Sequence, residues 1–181
     1  MTLWSQEKYI AALLFAAHAH NGQKVPGTDL PYLTHLAMVS MEVTAALAVE
    51  DGLDGNLTIQ CALLHDVLED TAVAYDALQD IFGEAVTNGV QALTKHDDLP
   101  KHEKMADSLA RIQQQPREIW MVKLADRITN LQPPPKHWTT EKMQSYQLEA
   151  QQIYDALHGA SPFLATRLQQ KIENYDQYFA R

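Results

Sequence analysis

The stretch Ala62-Leu-Leu-His65-Asp66-Val-Leu-Glu69-Asp70-Thr71 places one histidine and three carboxylates in an otherwise apolar run. Residues four apart on a helix stack on one face, so Glu69 falls a turn below His65 and Asp70 a turn below Asp66. Three acids held this close repel one another unless protons or a cation intervene. A divalent metal answers that problem, with imidazole and carboxylate oxygen as ordinary ligands. The nearby helix C-terminus also favours positive charge. An isolated His-Asp pair is common by chance, and the bland alternative is a solvated helix end carrying exposed acids.

Two further features shift the balance. Lys123-Leu-Ala-Asp126-Arg127-Ile-Thr-Asn130-Leu131 sets another acid in an apolar helical context, with Asn130 one turn on from Asp126. Upstream, Pro31-Tyr32-Leu-Thr-His35 offers a second histidine near the start of a long helix. Singly, His35 reads as a core histidine and Asp126 as a salt-bridge partner. Together with His65 and Asp66 they make a 2-His, 2-Asp set from three helices, with open positions for water and substrate.

The elements that must position these groups all carry helical periodicity. Leu3 to His20 ends at Asn21-Gly22, and Tyr32 to Val49 ends before Asp51-Gly52. Leu57 to Asp70 is unusually apolar and reads as a central helix. Ala74 to Phe82 and Glu84 to Leu93 are divided by Gly83, and Lys101 to Gln114 is polar and half exposed. Arg117 to Leu131 follows Pro116, and Pro133-Pro134-Pro135 then forbids helix. Thr140 to Leu157 and Pro162 to Phe179 close the chain, the last with Ser161 as N-cap. No alternating strand run, internal repeat or low-complexity tract appears. The expected fold is all-α, about eight or nine helices in one domain spanning residues 1–181.

Composition bounds the partners. The chain has 181 residues, 46% of them hydrophobic, and a formal charge of −9. That charge argues against a general nucleic-acid binder, which relies on Lys and Arg to displace counterions. It leaves room for a phosphorylated small molecule, because a cation and a few local basic groups can hold a phosphate in an acidic protein. No run approaches the ~20 apolar residues of a membrane span, and the N-terminus has no secretory pattern. Cys61, the single cysteine, reads as a small core residue. A cytoplasmic location is the default expectation, and nothing specifies an oligomeric state.

The order His35, His65-Asp66, Asp126 resembles the HD superfamily of metal-dependent phosphohydrolases. The flanking segments narrow it. Ala16-Ala17-His18-Ala-His20-Asn-Gly22-Gln23, Gly27-Thr-Asp-Leu-Pro31-Tyr32-Leu-Thr-His35, Leu93-Thr94 and the two motifs above resemble the hydrolase domain of RelA/SpoT proteins. The similarity runs over nearly the whole chain. The Pro-rich turn with Trp138, then the helix with Tyr146, resembles the small stand-alone alarmone hydrolases, and that resemblance carries the expectation of a hydrolase without a synthetase domain.

That resemblance implies a metal, usually manganese, held by His35, His65, Asp66 and Asp126, with Fe²⁺ or Zn²⁺ also compatible with such ligands. It assigns water activation to Glu69 and Asp70 and substrate contact to Asn130. The implied reaction is hydrolysis at the phosphorus joined to the ribose 3′ oxygen of ppGpp or pppGpp, releasing pyrophosphate. A cationic side chain after Gly22-Gln23 stacks on guanine in the family. Here that residue is Lys24, where arginine is more usual, followed by Val25 rather than a second basic residue. Lysine lacks the planar guanidinium that stacks on a ring. Leu36 also replaces a usual proline.

Further substrate contacts are expected from Lys123, Arg127, Tyr146 and His18. Lys95, Lys101 and Lys104 flank Leu93-Thr94 and are placed to meet the 5′ phosphates, but read more simply as solvated surface lysines. His20, His96, His102, His137 and His158 read as exposed or capping residues, and Trp4, Trp120 and Trp138 as core or interface anchors. One competing function is removal of the 2′ phosphate of NADPH, or attack on another nucleotide. A second is a metal-stabilised nucleotide sensor without catalysis, against which the intact Glu69, Asp70 and Asn130 argue.

Overall fold

A computed structural model of the chain describes residues 4–95 and 98–179, save for the side chain of Lys101. Its regular elements are α1 (Gln6–Ala19), α2 (Leu33–Leu47), α3 (Gly55–Leu64), α4 (Val67–Asp70), α5 (Tyr75–Phe82), α6 (Glu84–Leu93), α7 (Lys101–Ile112), α8 (Arg117–Asn130), α9 (Thr140–Leu157) and α10 (Pro162–Glu173). Two 3₁₀ turns, His158–Ala160 and Asn174–Tyr178, follow α9 and α10. Among the described residues the fold is all-α, with one isolated bridge between Lys24 and Pro31. The count exceeds nine because the expected helix Leu57 to Asp70 is two, α3 and α4. The expected start of the first helix at Leu3 lies outside the described residues.

Helix starts follow local side-chain chemistry. Asp54 accepts from the amides of Asn56 and Leu57, both at 3.0 Å, so α3 begins at Gly55 rather than Leu57. Ser161 accepts from Leu164 N at 3.1 Å, as its position before Pro162 predicts. Caps of this kind are worth about 1 kcal/mol each. The last expected helix, Pro162 to Phe179, tightens to a 3₁₀ turn at Asn174.

α3 is buried nearly all round, as its composition requires, and packs on α1, α2, α6 and α8. A Cβ at Gly89 would lie 2.5 Å from Ile119 Cδ1 and 2.9 Å from Cys61 Sγ. Glycine there lets α6 sit directly on α3 and α8. Arg111 closes the C-terminal end of α6 by donating to the carbonyls of Gln91 and Ala92 at 3.0 Å and Thr94 at 2.9 Å. That clamp fixes the chain from Leu93 to Lys95, which becomes a wall of the site. No helix among the described residues is long and apolar enough to cross a membrane.

Candidate metal centre

Adjacent residues on a regular helix point about 100° apart, so His65 and Asp66 could not face one point if the helix ran through them. It does not. α3 stops at Leu64, Asp66 sits at φ −102°, ψ 0°, and the ladder resumes with Asp70 N donating to Asp66 O at 2.8 Å. The break is a correction to the single helix expected over Leu57–Asp70. It brings His65 Nε2 to 2.8 Å from Asp66 Oδ2.

α2 and α8 supply the rest. His35 Nε2 lies 3.3 Å from His65 Nε2, 3.6 Å from Asp66 Oδ2 and 3.5 Å from Asp126 Oδ1. His65 Nε2 is 3.8 Å from Asp126 Oδ1. Ligand atoms of His35, His65 and Asp126 all fall within 4.8 Å of one another, and all three residues are buried. Both imidazoles are oriented from behind. His65 Nδ1 is 2.9 Å from Ala62 O; a carbonyl only accepts, so Nδ1 carries a proton and Nε2 is the nitrogen turned toward the acids, free to give up its proton to a bound cation. Thr129 gives its hydroxyl proton to Asp126 O at 2.9 Å and is left to accept from His35 Nδ1 at 3.4 Å. Both Nε2 atoms thus face the acids.

The electrostatics ask for positive charge at this point. Burial alone would lower the His65 imidazole, yet Asp66 and Asp126 raise it to about 9. Burial would raise Asp66, but His65 outweighs it and holds the carboxyl at about 2. Asp126 is likewise held well below the usual carboxylate range, with Lys123 the chief cause against burial. Lys123 Nζ donates to Asp126 Oδ2 at 3.1 Å and Asn130 Nδ2 to Asp126 Oδ1 at 2.5 Å. Tyr32 donates to Asp66 Oδ2 at 2.5 Å, and burial with the facing acid keeps its phenol protonated.

A cleft of about 180 Å³ opens over the cluster, walled by Tyr32, Glu69, Asp70, Leu93, Lys95, Lys123 and Asn130 as well as the four residues above. Its four carboxylates face two ammonium groups, and with both imidazoles neutral, as ligands to an ion, two negative charges are left over, the charge of one divalent cation reversed. Glu69 accepts from Lys95 N at 2.9 Å and Lys95 Nζ at 3.3 Å. Asp70 Oδ2 accepts from Gln23 Nε2 at 3.2 Å.

Comparison with known proteins agrees with this arrangement. The model of a family described as "HD domain" matches residues 12–163. The chain belongs to the HD domain family. The guanosine-3′,5′-bis(diphosphate) 3′-pyrophosphohydrolase MESH1 of Danio rerio is 31% identical over 161 residues, covering 86% of this chain and 87% of that protein. The human MESH1 is 30% identical over 152 residues, 81% of this chain and 83% of its own length. The bifunctional (p)ppGpp synthase/hydrolase SpoT of Escherichia coli K12 is 35% identical over 126 residues, 66% of this chain but 17% of SpoT. A solved structure of a metazoan ortholog of SpoT that hydrolyzes ppGpp superposes with TM-score 0.81 at 27% identity, covering 92% of this chain and 94% of that one. An HD domain with this cluster implies a divalent metal, and the donor set fits one.

Other residues singled out from the sequence lie elsewhere in this HD domain. Lys24 is exposed and paired with Asp29 at 2.7 Å. His18 is exposed in the last turn of α1. Arg127 is buried 4.4 Å over the Tyr146 ring and 3.6 Å from Glu149, forming a stack between α8 and α9 rather than the cleft wall. Tyr146 packs edge-on to Trp138 at 5.1 Å. His102, His137 and His158 are exposed as expected, and His96 lies outside the described residues. His20 is a C-cap as expected but is buried, because its ring stacks on Tyr32. Lys95, expected at the surface or beside the 5′ phosphates, stands half-buried in the cleft wall because the α6 clamp folds it onto Glu69. No local signal in the sequence marks that approach across 26 positions.

Proposed function

We propose that this chain is a (p)ppGpp 3′-pyrophosphohydrolase, with Mn²⁺ held by His35, His65, Asp66 and Asp126. The observation that carries the reading is the convergence of two oriented imidazoles, the buried Asp126 and the half-buried Asp66 beneath a cleft whose wall holds two further carboxylates. The relatives named for this reaction cover most of the chain, and the oxygen-rich donor set with open positions suits Mn²⁺. When bound there, the ion lowers the pKa of a water molecule and neutralises phosphate charge.

The chain's own groups do the rest. Glu69 and Asp70 stand in the cleft beside the ligands, and either can accept a proton from the attacking water. The water oxygen bonds to the phosphorus carried on the ribose 3′ oxygen. The bond from phosphorus to that oxygen breaks, its electron pair stays on the ribose oxygen, and a proton completes the hydroxyl. Pyrophosphate and GDP leave from ppGpp, or pyrophosphate and GTP from pppGpp. Asn130 and Lys123, each bonded to Asp126, place an amide and an ammonium group where substrate phosphate enters. Lys24 lies on the loop preceding α2, where it can approach the base.

The test is product analysis by anion-exchange chromatography, with Mn²⁺-loaded protein given ppGpp, pppGpp, NADPH and a dNTP in parallel. Equal amounts of GDP and pyrophosphate from ppGpp are expected. Orthophosphate released from NADPH alone would move the assignment to a 2′-phosphatase, and binding without any product would make the chain a sensor.

A further inference from the structure

Behind the cleft, the turn after α1 carries a buried histidine that the reaction above does not use. His20 ends α1, donating its amide to Ala16 O at 2.9 Å. Gly22, at φ +82°, reverses the chain so that positions 20 and 23 meet. Gln23 is then pinned through its backbone, its N–H on His20 O at 3.0 Å and its carbonyl accepting from Tyr32 N at 2.9 Å.

The side chains continue the connection. His20 Nδ1 lies 2.7 Å from Gln23 Oε1, and Gln23 Nε2 donates to Asp70 Oδ2 at 3.2 Å. Each assignment forces the next. A carboxylate only accepts, so the Gln23 NH₂ must face Asp70; its oxygen then faces His20, and Nδ1 must carry the imidazole proton. The same ring stacks on Tyr32 at 4.9 Å and 25°, and Tyr32 donates to Asp66. His20 Nε2 has no partner among the described residues. A hydrocarbon ring would fill the space without leaving a buried nitrogen unmet, so what distinguishes histidine here is its Nδ1 donor.

We infer that His20 is a positioning residue for Asp70, acting through the Gln23 amide, with its ring face steadying Tyr32 on Asp66. The inference rests on Asp70 being a proton acceptor in the proposed reaction. One Asp70 oxygen is held by the amide, which fixes the carboxylate's rotamer and presents the other oxygen for a proton.

Three variants separate the ring's two roles. His20→Phe keeps the stack on Tyr32 and removes the donor. His20→Asn keeps a short donor near the Nδ1 position, and Gln23→Met removes the amide from a half-buried loop site with little risk to folding. For His20→Phe and Gln23→Met, kcat on ppGpp should fall by about 10–100-fold, the usual cost of losing an outer-shell hydrogen bond. KM and the Mn²⁺ stoichiometry should stay at wild-type values, and His20→Asn should recover most of the loss. Nitrogen-15 NMR of the substrate-free protein should show the His20 proton on Nδ1. Wild-type kcat in Gln23→Met, a raised KM at unchanged kcat, or an Nε2–H tautomer would overturn the inference. If the wild-type protein leaves ppGpp intact, the proposed function fails, and the NMR result still decides the His20–Gln23 link.

Discussion

Two acidic arrangements in this molecule behave in opposite ways. Glu42 on α2 is buried, and its carboxylate is closed by the Arg167 fork, with Nε at 2.6 Å and Nη2 at 2.5 Å. Two oxygens meet two donors, and α2 is tied to α10. Seven residues before Glu42 on the same helix, His35 enters a cluster that the chain's own groups do not close. Across the cleft, the lining acids Asp66, Glu69, Asp70 and Asp126 outnumber the lining lysines, Lys95 and Lys123. An acid whose charge is matched by the fold serves architecture, and a surplus facing a cleft is a place for a cation and a substrate. Glu42 and Asp126 are both buried, so burial of a single acid does not tell the two apart; the charge balance around it does.

The comparison breaks most visibly if ligands are removed. His65→Ala or Asp126→Ala should reduce bound Mn²⁺ and ppGpp turnover to background, measured by elemental analysis and product chromatography. Chelation of the wild-type protein should do the same reversibly. Next in size, Glu69→Gln and Asp70→Asn should each lower kcat by about 10²–10⁴-fold, the range for a lost general base, while metal content stays unchanged. Metal loss in those variants would place them among the ligands instead.

On the structural side the expectation reverses. Arg167→Ala leaves the Glu42 carboxylate buried without its fork, and thermal unfolding should show a loss of about 2 kcal/mol. That is less than the ~3–5 kcal/mol of a fully buried pair, because the Arg167 side chain is 39% exposed. Specific turnover at 25 °C should be unaffected. The smallest effect belongs to Lys24→Ala. Its pair with Asp29 is solvated, so stability should change by no more than about 1 kcal/mol. A rise in KM for ppGpp without a change in kcat would mark Lys24 as a base contact.

The cluster was legible because its residue types are anomalous where they stand. A histidine and three acids in an otherwise apolar run demand an explanation, and His35 and Asp126, in helical contexts of their own, supply it. The all-α class and most helix boundaries were legible too, since capping residues and prolines act within a turn. What was hidden depends on non-local geometry. The break at His65-Asp66 has no glycine or proline to announce it, and helical spacing runs straight through it. Lys95 reaches Glu69 only because Arg111, on another helix, draws in the end of α6. His20 looked like an ordinary helix terminus because nothing in its neighbourhood reveals that Tyr32 covers it. Arg127, one residue from Asp126, shares its helix but turns to the Tyr146 side, a choice set by the packing of α9.

The central claim is that the surplus charge in the cleft holds one divalent cation between α2, the α3–α4 break and α8. Titration of metal-free protein with Mn²⁺, followed by electron paramagnetic resonance of the free ion, tests it most directly. The account predicts one tightly bound ion per chain, lost in Asp126→Ala and kept in Arg167→Ala. No tight binding, or binding that survives Asp126→Ala undiminished, would contradict it.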